Sequence, residues 1–134
     1  MGFIDSVKSV LMNNYANFNG RASRSEYWWF YLFTFLVGLP LGVIDGVILV
    51  VMDVPIDSLL WSFSPLGTLF QLSILIPSLA VAVRRMHDLG KSGWMLLIGL
   101  IPCVGIILLI VWTASDGEPH DNAYGPVPTN VLAQ

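Results

Sequence analysis

Arg84-Arg85-Met86-His87-Asp88-Leu89-Gly90-Lys91-Ser92-Gly93-Trp94 divides two long apolar runs, Leu66–Val83 and Trp94–Trp112. The stretch holds three of the six Lys/Arg residues and one of the two histidines of the chain. A polar hinge between two apolar rods describes a loop at a membrane face. The whole chain agrees with that reading. It has 134 residues, of which 55% are hydrophobic and 11% charged. Soluble domains carry about twice that charge. A globule of this size could not hide so much apolar surface from water, whereas a bilayer accepts it. The expected fold is all-α: a polytopic helical membrane protein of one domain, with three or four membrane segments and a short N-terminal amphipathic helix.

Outward from the hinge, Leu66–Val83 is the second expected span. Its Thr68, Gln71, Ser73, Pro77 and Ser78 suggest a face packed on other helices. Arg84 and Arg85 suit the negative end of that helix, and Gly90 is placed to stop it. The first span is expected over 27–52, entered through Tyr27, Trp28 and Trp29, whose amphipathic rings suit the headgroup level. Ser23 and Glu26 stand at capping-box spacing just ahead of it. Pro40 is expected to kink it. Asp45 is its only charge. A carboxylate inside a span is a functional candidate. At 1.5 Å per residue, however, Asp45 lies ~27 Å beyond Tyr27, near the far interface, and the interfacial reading is the favoured one.

Residues 3–11 place Phe3, Ile4, Val7, Val10 and Leu11 on one helical face, fit for the membrane interface or for packing on the loops. The third apolar run, 94–112, has Ser92 as its cap and Gly99, Pro102 and Gly105 in its middle. It is expected to form a kinked third span, with a re-entrant hairpin as the alternative. The tail, 113–134, is polar and expected to be irregular.

Orientation follows from Lys and Arg. The N-terminal segment carries three, the 53–65 connector none, the 84–93 loop three and the tail none. The positive-inside rule places the N-terminus and the 84–93 loop in the cytoplasm. A kinked third span leaves the tail outside, and a hairpin returns it to the cytoplasm. No signal-peptide pattern precedes the first span, so that span is expected to direct insertion.

Three motifs resemble one family. They are Phe18-Asn19-Gly20-Arg21-Ala22-Ser23-Arg24-Ser25-Glu26-Tyr27-Trp28, then Arg84-Arg85-Met86-His87-Asp88 leading to Lys91-Ser92-Gly93-Trp94, and Gly117 with Asn122-Ala123-Tyr124-Gly125-Pro126. Together they resemble the YhaH/YhaI-like small bacterial inner-membrane proteins, domain of unknown function 805, over roughly residues 18–128. Met95 stands where relatives often have a second tryptophan. The resemblance implies a polytopic protein of the bacterial inner membrane and supplies no activity.

Two of these motifs fall on the expected cytoplasmic side. The residues offered there for an anion or lipid headgroup are Arg21, Arg24, Arg84, Arg85, His87 and Lys91. Basic pockets between helices on that side take such headgroups. The competing reading is a structural latch in which Glu26 or Asp88 pairs with an arginine through its bidentate fork. Asp45 and Gln71 are the intramembrane polar candidates, the pair a transport pathway would need.

No residue is assigned a catalytic role. His87 and Asp88 are adjacent, and neighbours on a helix point apart. Cys103 lies mid-run and allows no internal disulfide. Glu118, His120 and Asp121 lack a metal-ligand spacing, and no cofactor is expected. The net charge of −3 argues against nucleic acid. The partners expected are the lipid bilayer, an anionic lipid and further copies of the chain. The functional expectation is a non-enzymatic membrane protein that binds an anionic lipid or protein partner. A small oligomeric transporter or channel, and a membrane enzyme acting on lipid, are the alternatives.

Overall fold

The computed structural model describes residues 2–128. Among these the regular structure is helical, apart from one isolated bridge between Asn122 and Gly125. The frame is an antiparallel pair, α2 (Arg24–Val51) and α4 (Pro65–Asp88). At 1.5 Å per residue these 28 and 24 residues run ~42 Å and ~36 Å, enough to cross a hydrocarbon core of about 30 Å. Both carry the apolar composition a crossing needs.

α2 begins where expected. Ser23 is extended, and its hydroxyl accepts from the Glu26 backbone N–H at 3.2 Å. The helix runs on through Pro40 without a break, as α4 does through Pro77. Gly90 stops α4 in a Schellman turn. Its φ is +71°, Gly90 N–H donates to His87 O, and Lys91 N–H donates to Met86 O. The last turns of α4 extend past the expected end at Val83, so Arg84 to Asp88 are helical.

At the opposite end, a short α3 (Leu59–Phe63) stands apart from α4 across Ser64, a left-handed residue with φ +47°. The Asp45 carboxylate accepts from the backbone N–H groups of Leu66 (3.0 Å) and Gly67 (2.9 Å) and from the Ser64 hydroxyl (3.0 Å). A carboxylate at the positive end of a helix is favourable. Asp45 on α2 thus caps α4 and locks the pair at that end.

The N-terminal helix α1 (Phe3–Lys8) continues through a π-helical turn to Asn13. It packs on α2, with Phe3 edge-on to Trp29 at 5.8 Å. Its buried face is Ser6 and Val10, while Ile4, expected on the apolar face, is 64% exposed. The core joins Val10, Ala22, Tyr27, Phe30, Ile74 and Val81.

Residues 94–112 do not form one straight span. A 3₁₀ segment, Gly93–Leu100, turns at Ile101–Cys103 into α5 (Val104–Ala114), and the two limbs pack on each other. At ~2.0 and ~1.5 Å of rise per residue each limb is ~16 Å long, about half a hydrocarbon core. Glycine permits the closure, since a Cβ at Gly105 would run into the Ile98 carbonyl and one at Gly99 would meet Leu109. The turn satisfies its own backbone. Ile101 O, Pro102 O and Cys103 O each accept from the backbone N–H of Gly105, Val104 and Ile107. Pro102 has no N–H to lose. Continuous hydropathy hides this fold, because both limbs are equally apolar.

The two ends of the hairpin meet beside Asp88. The Lys91 ammonium lies 5.0 Å from the centre of the Trp112 ring. Residues 113–128 therefore return to the end of the molecule where α2 starts and α4 stops. All six Lys/Arg residues collect at that end, and the opposite end carries Asp45, Asp53 and Asp57.

Candidate functional site: the basic end

Three guanidiniums and two carboxylates are buried together at the basic end: Arg21, Arg84 and Arg85 with Glu26 and Asp88. Asp88 is 1% exposed and held from two sides. Arg21 donates to one of its oxygens at 2.9–3.0 Å, and Arg85, one helical turn earlier, donates to the other. Glu26 accepts from Arg84 at 2.9 Å and from the Ser9 hydroxyl at 2.7 Å. Removing charges from water is costly, and only close pairing with further hydrogen bonds offsets it.

The extra positive charge is met by carbonyls. Arg85 donates to Thr113 O and Ser115 O, in the last turn of α5 and at its C-cap, and to Ala22 O. The negative end of a helix suits such a cation. Arg21 donates to Glu118 O (2.6 Å) and His120 O (2.8 Å) in the tail. Arg24 reaches Ala114 O and pairs with Asp116 in water, where such a pair contributes little. Trp28 Nε1–H donates to Thr113 O at 3.2 Å. The arginines thus tie α2, α4, the hairpin and the tail into one knot.

The tail closes over the knot. Glu118 N–H donates to Asp88 O, and Asn122 Nδ2 donates to His87 O and to the Glu118 carboxylate. Tyr124 stacks on His87 with ring centres 4.0 Å apart. A Cβ at Gly117 would collide with the Asp88 carboxylate, so only glycine lets the tail pass there. Asn122, Tyr124, Ser9 and Trp112 carry no signal of charge or spacing that points to this site, and Glu118 reads in the sequence only as a tail carboxylate without a metal-ligand spacing. The third motif of the family resemblance carries Gly117, Asn122 and Tyr124, and was their one trace in the sequence.

Two groups here are not fully occupied. Arg84 uses Nη1 for Glu26, while its Nε and Nη2, the side-on fork, are buried without a partner. His87 directs Nδ1 to Gly20 O at 3.0 Å. A carbonyl only accepts, so the ring proton sits on Nδ1, and Nε2 has no partner among the described residues. His87 also lines an apolar groove of about 440 Å³ between α4 and the 3₁₀ segment. Leu79, Val83, Trp94, Leu96 and Leu97 form its walls, and Ser92 also lines it.

The structure does not join Asp45 to Gln71. Asp45 is 2% exposed, with both oxygens engaged at the start of α4. Gln71 lies exposed in a separate groove between α2 and α4. Among the described residues no group of three His, Cys, Asp or Glu side chains stands ready to hold a metal. Cys103 is exposed at the hairpin turn.

A family model described as a protein of unknown function (DUF805) matches residues 15–126, which include every residue of the knot except Ser9. The chain belongs to the DUF805 family. Inner membrane protein YhaH of Escherichia coli (strain K12) is 34% identical over 122 residues, covering 88% of this chain and 92% of that protein. Inner membrane protein YhaI of the same organism is 34% identical over 118 residues, covering 88% and 91%. No solved structure matches. With two crossing-length apolar helices, this DUF805 chain is a helical membrane protein, and its relatives are named for the inner membrane.

Proposed function

We propose that this is a multi-pass inner-membrane protein whose basic end faces the cytoplasm, and that it binds an anionic phospholipid without catalysing a reaction. The collection of all six Lys/Arg at one end supports the orientation. The same orientation puts the N-terminus, the 84–93 loop and the tail together in the cytoplasm. The 94–112 hairpin then enters and leaves the bilayer from that side.

The observation that carries the binding proposal is the groove beside His87. Its apolar walls suit an acyl chain, and His87 lines it with an imidazole whose Nε2 has no partner among the described residues. That nitrogen can accept from a headgroup hydroxyl or, when protonated, donate to a phosphate. The buried arginines are a poorer choice for the ligand, because most of their donors already serve protein carboxylates and carbonyls.

Native mass spectrometry of gently extracted protein tests this. Leu97→Trp fills the groove without touching the knot. Wild type is expected to retain an anionic phospholipid that Leu97→Trp and His87→Gln lose. Equal retention by all three would remove the groove as the site.

A further inference from the structure

We propose that a second copy of this chain docks on the α2–α4 face that carries Gln71, independently of lipid binding at His87. That face holds a groove of about 620 Å³ lined by Tyr31, Phe35, Gly38, Gly42, Gly67 and Gln71, among others. It differs from the face covered by α1, where Phe3 meets Trp29 and Phe33.

Gln71 carries the argument. It sits six residues into α4, ~9 Å from the start of the helix and within its apolar length. Other polar side chains nearby return to carbonyls of their own chain three to five residues back. The hydroxyl of Thr34 donates to Tyr31 O, that of Ser73 to Phe70 O and that of Thr68 to Phe63 O. The Gln71 amide has no hydrogen bond among the described residues and is exposed. Against lipid tails its two N–H groups and one carbonyl would stay unpaired, which is costly in hydrocarbon.

The occupant follows from what an amide needs. An acyl chain in this groove offers neither donor nor acceptor. A second Gln71 offers both, and a two-fold contact pairs each amide N–H with the other's carbonyl. The backbone permits the approach, because a Cβ at Gly38 or Gly42 would meet nothing within 4 Å. Small residues on that face let two helices come close enough for side chains to bond across.

The test uses the full chain in lipid nanodiscs and in native membranes, with Cys103→Ala as background. Gln71→Cys is expected to form a disulfide-linked dimer on mild oxidation, and Leu36→Cys, exposed elsewhere on α2, is not. By fluorescence transfer between labelled copies, Gln71→Leu and Gly42→Leu are each expected to weaken association about tenfold. Gln71→Asn is expected to keep most of it. Monomeric wild type, equal association in the leucine variants, or cross-linking at Leu36 but not at Gln71 would each overturn the proposal. Recovery of a different membrane protein cross-linked at Gln71, in place of this chain, would overturn it as well.

Discussion

Asp88 is held by Arg21 and Arg85 at once, and so the knot depends on it more than on any other side chain. Asp88→Asn keeps the shape and removes the charge, leaving two buried guanidiniums without their anion. Breaking a buried pair costs about 3–5 kcal/mol. The expected result is a large fall in melting temperature in mild detergent, and an unchanged transition would count against the knot as a stabilising device. His87 makes a finer distinction. Tyr124→Phe keeps the ring that stacks on it, and Tyr124→Ala does not. The tail is expected to resist limited proteolysis in the first variant and to be cut faster in the second. Equal cutting would mean that the stacked pair does not hold the tail. The charges of the knot were legible in the sequence as residue types clustered in two motifs. Their partners were not, because Arg85 and Arg21 donate mainly to backbone carbonyls supplied by distant segments, and a carbonyl has no signature in sequence.

Among the elements, the hairpin and the two helix ends depend on single positions. Gly105→Ala places a methyl group against the Ile98 carbonyl, so the limbs must part. Overpacking of this kind costs about 1–3 kcal/mol. Faster hydrogen exchange in α5, with α2 unaffected, is the expected signature; uniform exchange across both would contradict it. Asp45→Asn weakens the cap on α4 by removing a charge from a helix N-terminus, at a cost of about 1 kcal/mol. A small drop in melting temperature with the tail still protected is the expected result. Loss of tail protection would show that the two ends are coupled. The boundaries of α2 and α4 could be read from Ser23 and Gly90, because a cap and a left-handed stop are local chemistry. The break at Ile101–Cys103 could not, because Gly99, Pro102 and Gly105 fit a kinked rod as well as a hairpin. Length decides it: two limbs of ~16 Å fold back where one rod would have crossed.

For the whole molecule, the hairpin decides which side the tail occupies. A straight third span would carry residues 113–128 away from Arg21, Arg85 and His87. The observed fold lays them on those residues, with Asp88 between. The alternation of Lys and Arg is the basis of the orientation proposed for the first two crossings, and it says nothing of a tail that has no Lys or Arg. The most direct test is cysteine accessibility from each side of the membrane. Ala123→Cys and Asp57→Cys are made separately in a Cys103→Ala background and labelled with an impermeant maleimide, in intact spheroplasts and in inverted vesicles. Position 57 is expected to label in spheroplasts and position 123 only in inverted vesicles. Labelling of both positions in intact spheroplasts would put the tail on the side of Asp57, and with it would fall the hairpin and the knot; labelling of position 123 there without position 57 would overturn the proposed cytoplasmic orientation.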